Sequence, residues 1–344
     1  MSGITLENCN VATLGSHSAL NIFRGAKAEN LGTVVVATPI QRKLYERYSE
    51  IVDRIIEIPS YEAFPTVEDQ LNDLGCVVIP HGSFVAYLGM ERNKQMRVPY
   101  FGNKNVLDWE ESRERQRQWF KEADVPLAAY YSLDNEEKEW PVIVKTDGAA
   151  GGKGYFIAKT EEALRRGVEA SGDANPTIQH YELGVPLYIH YFQSVMRDRT
   201  EILSMDRRYE TNVDGLGRLP APFQIDLDPD LSYVVIGNIP VVLRESMLEE
   251  AFEMGERFVD GSKRLIDPRG LWGPFCLETI VMPSAHFSCI EASCRIVAGT
   301  TVSVTGESPY AQYLFPNERM GTGTRIAREL KEAIKADRLS EVVH

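Results

Sequence analysis

The chain has 344 residues, 43% hydrophobic and 25% charged, which is enough for two or three domains with sizeable cores and excludes a disordered chain. Its net charge of −13 argues against a general nucleic-acid binder, which needs clustered Lys and Arg, but leaves room for a small phosphorylated ligand in a local pocket. Met1 to Asn10 shows no signal peptide, no apolar run reaches the roughly 18 residues of a membrane span, and Cys9, Cys76, Cys276, Cys289 and Cys294 lack zinc or redox spacing; a cytoplasmic, non-membrane protein with reduced thiols is expected.

In chain order, Asn10–Gly15 reads as a strand, Ser18–Asn30 as a helix, Gly32–Thr38 as a strand and Ile40–Tyr48 as a helix. Ile55–Pro59, Val67–Leu74 and Cys76–Pro80 continue the alternation. Such a pattern predicts a parallel sheet with helices on its faces, and ligands in such sheets sit at the carboxyl ends of the strands. Gly15-Ser16-His17 and His81-Gly82-Ser83-Phe84 occupy that position. Asp108–Ala123, rich in Glu, Arg and Gln, reads as one exposed helix. Strands are expected at Trp140–Thr146, Tyr155–Lys159, Leu187–Val195, Glu201–Met205, Tyr233–Val242, Phe275–Met282 and Phe287–Val297. Helices are expected at Glu161–Ala170, capped by Thr160, at Glu245–Leu265 and at Gly321–Lys335. The class is α/β at the N-terminus and α+β overall.

Between the strands at 140–146 and 155–159 lies Asp147-Gly148-Ala149-Ala150-Gly151-Gly152-Lys153-Gly154. Glycines let backbone N–H groups close on a phosphate, and a lysine adds charge. A Walker loop runs from a strand into a helix and ends in Lys followed by Ser or Thr. Here Gly154 follows Lys153 and strand sequence stands on both sides, so the segment reads as a flap over a nucleotide rather than an ordinary hairpin turn. Lys145 closes the apolar run Val142-Ile143-Val144, where a lysine is costly unless its charge has a partner, for which a nucleotide phosphate is the natural candidate.

Phe275–Met282 and Phe287–Val297 are joined by Pro283-Ser284-Ala285-His286. A hairpin closed there pairs Met282 with Phe287 and, counted back along the ladder, Glu278 with Glu291. Two carboxylates directly opposite each other repel, and a divalent cation removes the repulsion. Magnesium suits the pair, since it takes one or two carboxylates and draws further ligands from phosphates. Alternation puts Glu291, Ser293 and Arg295 on one face, and Arg295 is placed to steady charge on a transferring phosphoryl group.

The glycine flap, the strand lysine and the two late acidic strands together resemble the ATP-grasp fold. Finer matches resemble one branch, the archaeal formate-dependent synthetases of purine biosynthesis. These include Ala12-Thr13-Leu14-Gly15-Ser16-His17-Ser18, Pro80-His81-Gly82-Ser83-Phe84-Val85-Ala86-Tyr87, Ile189-His190-Tyr191-Phe192 and Met205-Asp206-Arg207-Arg208-Tyr209-Glu210, and they run in consistent order along nearly the whole chain. The resemblance implies a Rossmann-like domain over 1–105, a small ATP-grasp subdomain with the flap over 106–190 and a metal-binding subdomain over 191–344.

It further implies that His17, Ser83 and Asn238 bind the nucleotide AICAR (aminoimidazole carboxamide ribonucleotide). Lys145 and the flap residues Gly151, Gly152, Lys153 and Gly154 would bind ATP phosphates. Gln179–Leu183, with Gln179, Tyr181 and Glu182, would be the adenine hinge, Glu210 would contact the nucleotide, and Glu278 and Glu291 would hold magnesium or manganese. The reaction implied is ATP-dependent formylation of AICAR by formate in IMP biosynthesis, through formyl phosphate, by a homo-oligomer (trimer or hexamer). Lys145 and Arg295 are the catalytic candidates. Thr301, after Gly299-Thr300, and Gln179-His180 depart from the family pattern. A related ligase joining another acid and amine, and a nucleotide-binding regulator without turnover, remain as alternatives.

Overall fold

The computed structural model describes every residue except 1–2, 135–136, 151–152, 174, 228–231, 233 and 300–306, and the side chains of 147–150 and 153–154. Gly151, Gly152 and Thr301 therefore lie outside the described residues.

Three sheets carry the fold. The first is parallel, with order β3-β2-β1-β4, from β1 (Asn10–Leu14), β2 (Gly32–Ala37), β3 (Arg54–Glu57) and β4 (Cys76–Val78). Both faces are buried, which is why the strands read as continuous apolar runs. Val11, Val35 and Val77 pack towards Phe23, Ile326 and Leu330 on one side, and Val34 and Val36 towards Phe64, Phe84 and Tyr100 on the other. The order reverses between β1 and β4, so the loops after these two strands diverge and leave a crevice.

The second sheet is antiparallel, order β5-β8-β6-β7, from β5 (Tyr130–Tyr131), β6 (Val142–Ala150), β7 (Lys153–Ala158) and β8 (Thr177–His180). The β6–β7 hairpin carries the glycine segment at its tip, with Lys145 opposite Tyr155. Thr160 caps the following helix Glu161–Ser171 as expected, its Oγ1 accepting from Ala163 N at 3.3 Å.

The third sheet is antiparallel, order β11-β10-β9-β12-β13. Its strands are β9 (Val185–Ser194), β10 (Arg199–Glu210), β11 (Val235–Pro240), β12 (Gly273–Val281) and β13 (Phe287–Ser293). Helix Leu248–Leu265 covers one face, where Phe258 stacks between Trp119 and Phe275. The closing helix Thr322–Lys335 returns to the first sheet and packs on helix Ala19–Ala28. Gly25 and Gly323 make that crossing possible, since a Cβ on either would overlap the other helix's segment.

Four expectations need correction. Asp108–Ala123 is two helices, Leu107–Glu111 and Arg113–Glu122, with Ser112 capping the second through a 3.3 Å bond from Arg115 N. It is also not simply exposed, because Glu110, Gln116, Trp119 and Phe120 are buried. The hairpin register differs at the turn: Val281, not Met282, pairs with Phe287. A bulge between Glu278 and Thr279 then restores the expected pairing of Glu278 with Glu291. Finally, the ladder of β13 ends at Ser293, and the chain beyond it crosses to the first sheet, where Ile296 bridges His81.

All five cysteines are free and buried. Among the described residues no helix is long and apolar enough to cross a membrane.

Candidate active site

The three sheets meet around one cleft of about 960 Å³, large enough for a nucleotide and a second substrate. The first sheet contributes His17, Gly82 and Ser83 from the two switch-point loops. These loops touch directly: the His17 and His81 rings stack at 5.4 Å, and Ser83 Oγ donates to Ser16 Oγ at 2.8 Å. His81 is fully buried with Nε2 3.1 Å from Leu14 O, and burial pushes its pKa down to about 3. Burial, followed by the charge of Arg295, also lowers the pKa of His17, which faces the cleft as a neutral imidazole at neutral pH.

The second sheet contributes Lys145, Gln179 and Tyr181. Burial and the neighbouring Arg113 lower the pKa of Lys145, while Glu291 and Glu278 raise it. The lysine on β6 therefore sits in the field of the acidic pair on the third sheet. Gln179 is 5% exposed, and its buried Oε1 has no hydrogen-bond partner among the described residues.

The third sheet contributes Arg208, Glu210, Glu278, Glu291, Ser293 and Arg295. Glu278 is buried and Glu291 exposed on adjacent strands. Burial pushes the Glu278 carboxyl up to about 7; Arg208 opposes the rise and Glu291 adds to it. Among the described residues no group of three or more His, Cys, Asp or Glu side chains forms a metal cage. A facing pair of carboxylates fits a cation that takes two protein oxygens and completes its shell with phosphates and water.

Arg208 was not singled out from the sequence. It lies on β10 with its guanidinium 4.0 Å over the Tyr188 ring, and its Nη2 donates to Glu278 Oε1 at 2.5 Å. The available signal was period-two spacing from Glu210, which puts both on one face past the apolar stretch ending at Met205. Glu110 and Gln116 were also missed. They carry no local signal, since they look like any polar residues of a charged helix, yet Gln116 bonds Ala292 on the strand that bears Glu291 and Glu110 bonds Cys294 just past its end.

The expected residues do not all converge. His17, Ser83, Lys145, Gln179, Tyr181, Glu210, Glu278, Glu291 and Arg295 line the cleft. Glu182 and Asn238 are not among the lining residues. Asn238 pairs with Arg208 across the β10–β11 ladder, and its Nδ2 donates to Asp206 Oδ2 at 2.5 Å. Asp206 in turn bonds the buried His190. Lys153 and Gly154 open β7.

The chain is similar to known proteins over nearly its whole length. Residues 155–344 match a family model described as "Domain of unknown function (DUF1297)", and residues 11–131 match one described as "Protein of unknown function (DUF1246)". The chain is 48% identical over 340 residues, covering 97% of it and 99% of the relative, to the 5-formaminoimidazole-4-carboxamide-1-(beta)-D-ribofuranosyl 5'-monophosphate synthetase of Pyrococcus horikoshii. Among solved structures it is similar to an IMP biosynthesis protein PurP from Thermococcus kodakaraensis, at 31% identity and a TM-score of 0.77, covering 97% of this chain and 100% of that one. A more distant likeness, 14% identical with a TM-score of 0.62 over 91% of this chain and 78% of that one, is to the ADP complex of an N5-carboxyaminoimidazole ribonucleotide synthetase, and concerns the fold alone.

Proposed function

The chain belongs to the family of 5-formaminoimidazole-4-carboxamide ribonucleotide synthetases, ATP-grasp ligases of IMP biosynthesis, and from that premise we propose that it formylates AICAR with ATP and free formate in the cleft between its three sheets. The observation that carries the reading is the convergence of Lys145 with the cross-strand pair Glu278 and Glu291, opposite the switch-point loops of the first sheet.

Formate is a poor acyl donor because oxide is a poor leaving group. In the proposed sequence a formate oxygen attacks the γ-phosphorus of ATP, and ADP leaves with the bridging electron pair. The exocyclic amine of AICAR then attacks the formyl carbon. The new C–N bond forms, the bond from carbon to phosphate oxygen breaks, phosphate departs with that electron pair, and the amine releases a proton.

Lys145, Arg208 and Arg295 line the cleft, and their positive charge would stabilise the charge that develops on the phosphoryl group during transfer. Glu278 and Glu291 would hold magnesium or manganese, which supplies charge neutralisation at the nucleotide phosphates. Gln179 and Tyr181, with Glu182 beyond them, would seat the adenine, and the β6–β7 flap would cover the phosphates. His17 and Ser83 would hold AICAR at the switch point. Asn238, its Nδ2 given to Asp206, would present its amide oxygen to AICAR from β11.

The division we propose is 1–105 for AICAR, 106–190 for nucleotide and 191–344 for metal and phosphoryl transfer, with the last boundary adjusted to Val185, where β9 begins. A trimer or hexamer remains part of the proposal, and light scattering in solution tests it.

The test of the function is a product assay with ATP, magnesium, formate and AICAR, following ADP and the formamido product. Stoichiometric appearance of both is expected. ADP release that needs a different acid or amine would discard the formate assignment while keeping the ligase class.

A further inference from the structure

β13 is an edge strand of the large sheet: on its outer edge Cys289 N donates to Pro126 O at 2.8 Å, and further along the same edge side chains take the place of a neighbouring strand. Gln116 Nε2 donates to Ala292 O at 3.0 Å and its Oε1 accepts from Ala292 N at 3.1 Å, so one amide supplies both bonds of a strand neighbour. Two residues on, Glu110 Oε2 accepts from Cys294 N at 3.0 Å. A glutamine at 110 would serve that N–H just as Gln116 serves Ala292. The carboxylate does something more: its other oxygen, Oε1, lies 3.0 Å from Arg295 Nη2.

We propose that Glu110 is a positioning residue for the ligation, holding the Arg295 guanidinium in the orientation that meets the acyl phosphate. The proposal rests on the function given above. Glu110 is 9% exposed, and an unpaired charge at that depth would cost several kcal/mol, so the carboxylate is retained against a standing penalty that Arg295 offsets. Burial indeed raises its pKa even with Arg295 alongside.

Arg295 also lines the cleft. Among the described residues its buried Nε has no hydrogen-bond partner, and Nη1 makes a long 3.4 Å contact with Ile296 O. Nη1 also lies 3.5 Å from the point a Cβ on Gly82 would occupy, beside His17 Nε2 at 3.3 Å. The Arg295 group therefore sits between the AICAR loops and the strand of Glu291. An orphaned buried N–H is costly until an anionic oxygen arrives, and its direction is set by the one nitrogen already committed to Glu110. The helix Leu107–Glu111 that carries Glu110 is itself anchored. Just before it, Asn103 Nδ2 donates to Gly270 O at 2.7 Å and Lys104 Nζ to Met96 O at 2.6 Å.

The experiment uses the full-length enzyme and measures kcat and KM for ATP and AICAR in wild type, Glu110→Gln, Arg295→Ala and the double variant. Misplacement of a catalytic group by about 1 Å is expected to cost Glu110→Gln roughly 100-fold in kcat, with both KM values within about threefold. Because Glu110 acts through Arg295, adding Glu110→Gln to Arg295→Ala should lower kcat by less than about twofold more. Added guanidinium should restore part of the activity of Arg295→Ala and none in the double variant. Full kcat in Glu110→Gln, losses that multiply, or equal rescue with and without the carboxylate would each overturn the proposal. If Glu110→Gln does not fold, Glu110→Asp, whose shorter carboxylate cannot reach both partners, is measured against the same criteria. Wild type run in parallel separates the two readings: no formamido product from wild type sinks the function, whereas product from wild type with an unimpaired Glu110→Gln sinks only the role of Glu110.

Discussion

Two clusters of charge stand on the same large sheet and differ in how they are completed. At one end, Arg325 from the closing helix is fully buried between Glu201, 2.7 Å away on β10, and Glu329, 2.9 Å away on its own helix. Phe192 and Phe315 cover the guanidinium, and Ser194 Oγ donates to Glu329 at 2.9 Å. Each charge there has an opposite charge from the protein itself. In the cleft, Glu278 is pushed up to about 7, Lys145 is pushed down, and Arg295 Nε has no hydrogen-bond partner among the described residues. The first cluster is neutralised by the protein's own charges, although Arg325 Nη1, 2.9 Å from Glu329, makes no well-aligned hydrogen bond among the described residues; the second has charge that the protein offsets less fully. Burial of charge alone therefore does not mark a functional site, whereas buried charge left incompletely compensated does.

The sharpest way to break the comparison is Arg325→Met. Removing Arg325 takes the guanidinium from buried Glu329 and leaves Glu201 to Arg199, 2.9 Å away, and about 3–5 kcal/mol of unfolding free energy should be lost, read by urea titration. The fraction still folded should turn over at the wild-type rate; a specific loss of kcat would place this cluster in the mechanism instead.

Glu291→Gln should act in the opposite sense. It removes one of two facing like charges, so stability should hold or rise slightly, while product formation falls by about 10²–10³-fold. Raised magnesium should not recover it. Full activity in Glu291→Gln would argue against a metal at this pair. Lys145→Met should cost about 10²-fold in kcat, with no loss of thermal stability, because the lysine is partly desolvated and has only distant acids to offset that. A fall in melting temperature equal to that of Arg325→Met would put Lys145 among the structural charges.

The smallest effect concerns His81, below the site. Its folded pKa of about 3 lies under the ordinary histidine value, so the unfolded chain takes up a proton that the folded chain refuses. Its contribution to stability is complete above a pH of about 6.5 and is lost as pH falls from there towards 3, at up to about 1.4 kcal/mol per unit. His17, also lowered, adds in the same direction. His81→Gln should flatten the change in urea midpoint between pH 6.5 and 5. An unchanged slope would show that other groups carry the acid sensitivity.

Much of the cleft was legible because its residues stand at the ends of locally patterned elements. β1 and β4 end in the loops of His17 and Ser83, β6 in Lys145, and an antiparallel hairpin fixes Glu278 opposite Glu291. That last inference held for an instructive reason: the turn register was off by one residue, and a bulge, which has no strong sequence mark, shifted it back. Had the bulge been absent, the ladder would have placed Ile290, not Glu291, opposite Glu278. Asn238 stands on β11 as expected, but the bond from its amide nitrogen to Asp206 has no mark in the sequence.

The sequence by itself determined the periodicities, and through them the parallel sheet, the flap hairpin and the facing glutamates, because these depend on residues close together along the chain. Tertiary structure alone decided which distant groups complete them. Arg208 reaches Glu278 only because β10 and β12 flank β9 in one sheet, and Arg295 reaches His17 only because the chain past β13 crosses to β4. Glu110 and Gln116 bond to Cys294 and Ala292, more than 170 residues away, to satisfy backbone groups on the outer edge of β13 and just past its end. No local pattern records an unpaired backbone group so far along the chain. Its need for a partner is set by which strand lies at the edge of the sheet, and that is known only once the sheet has formed.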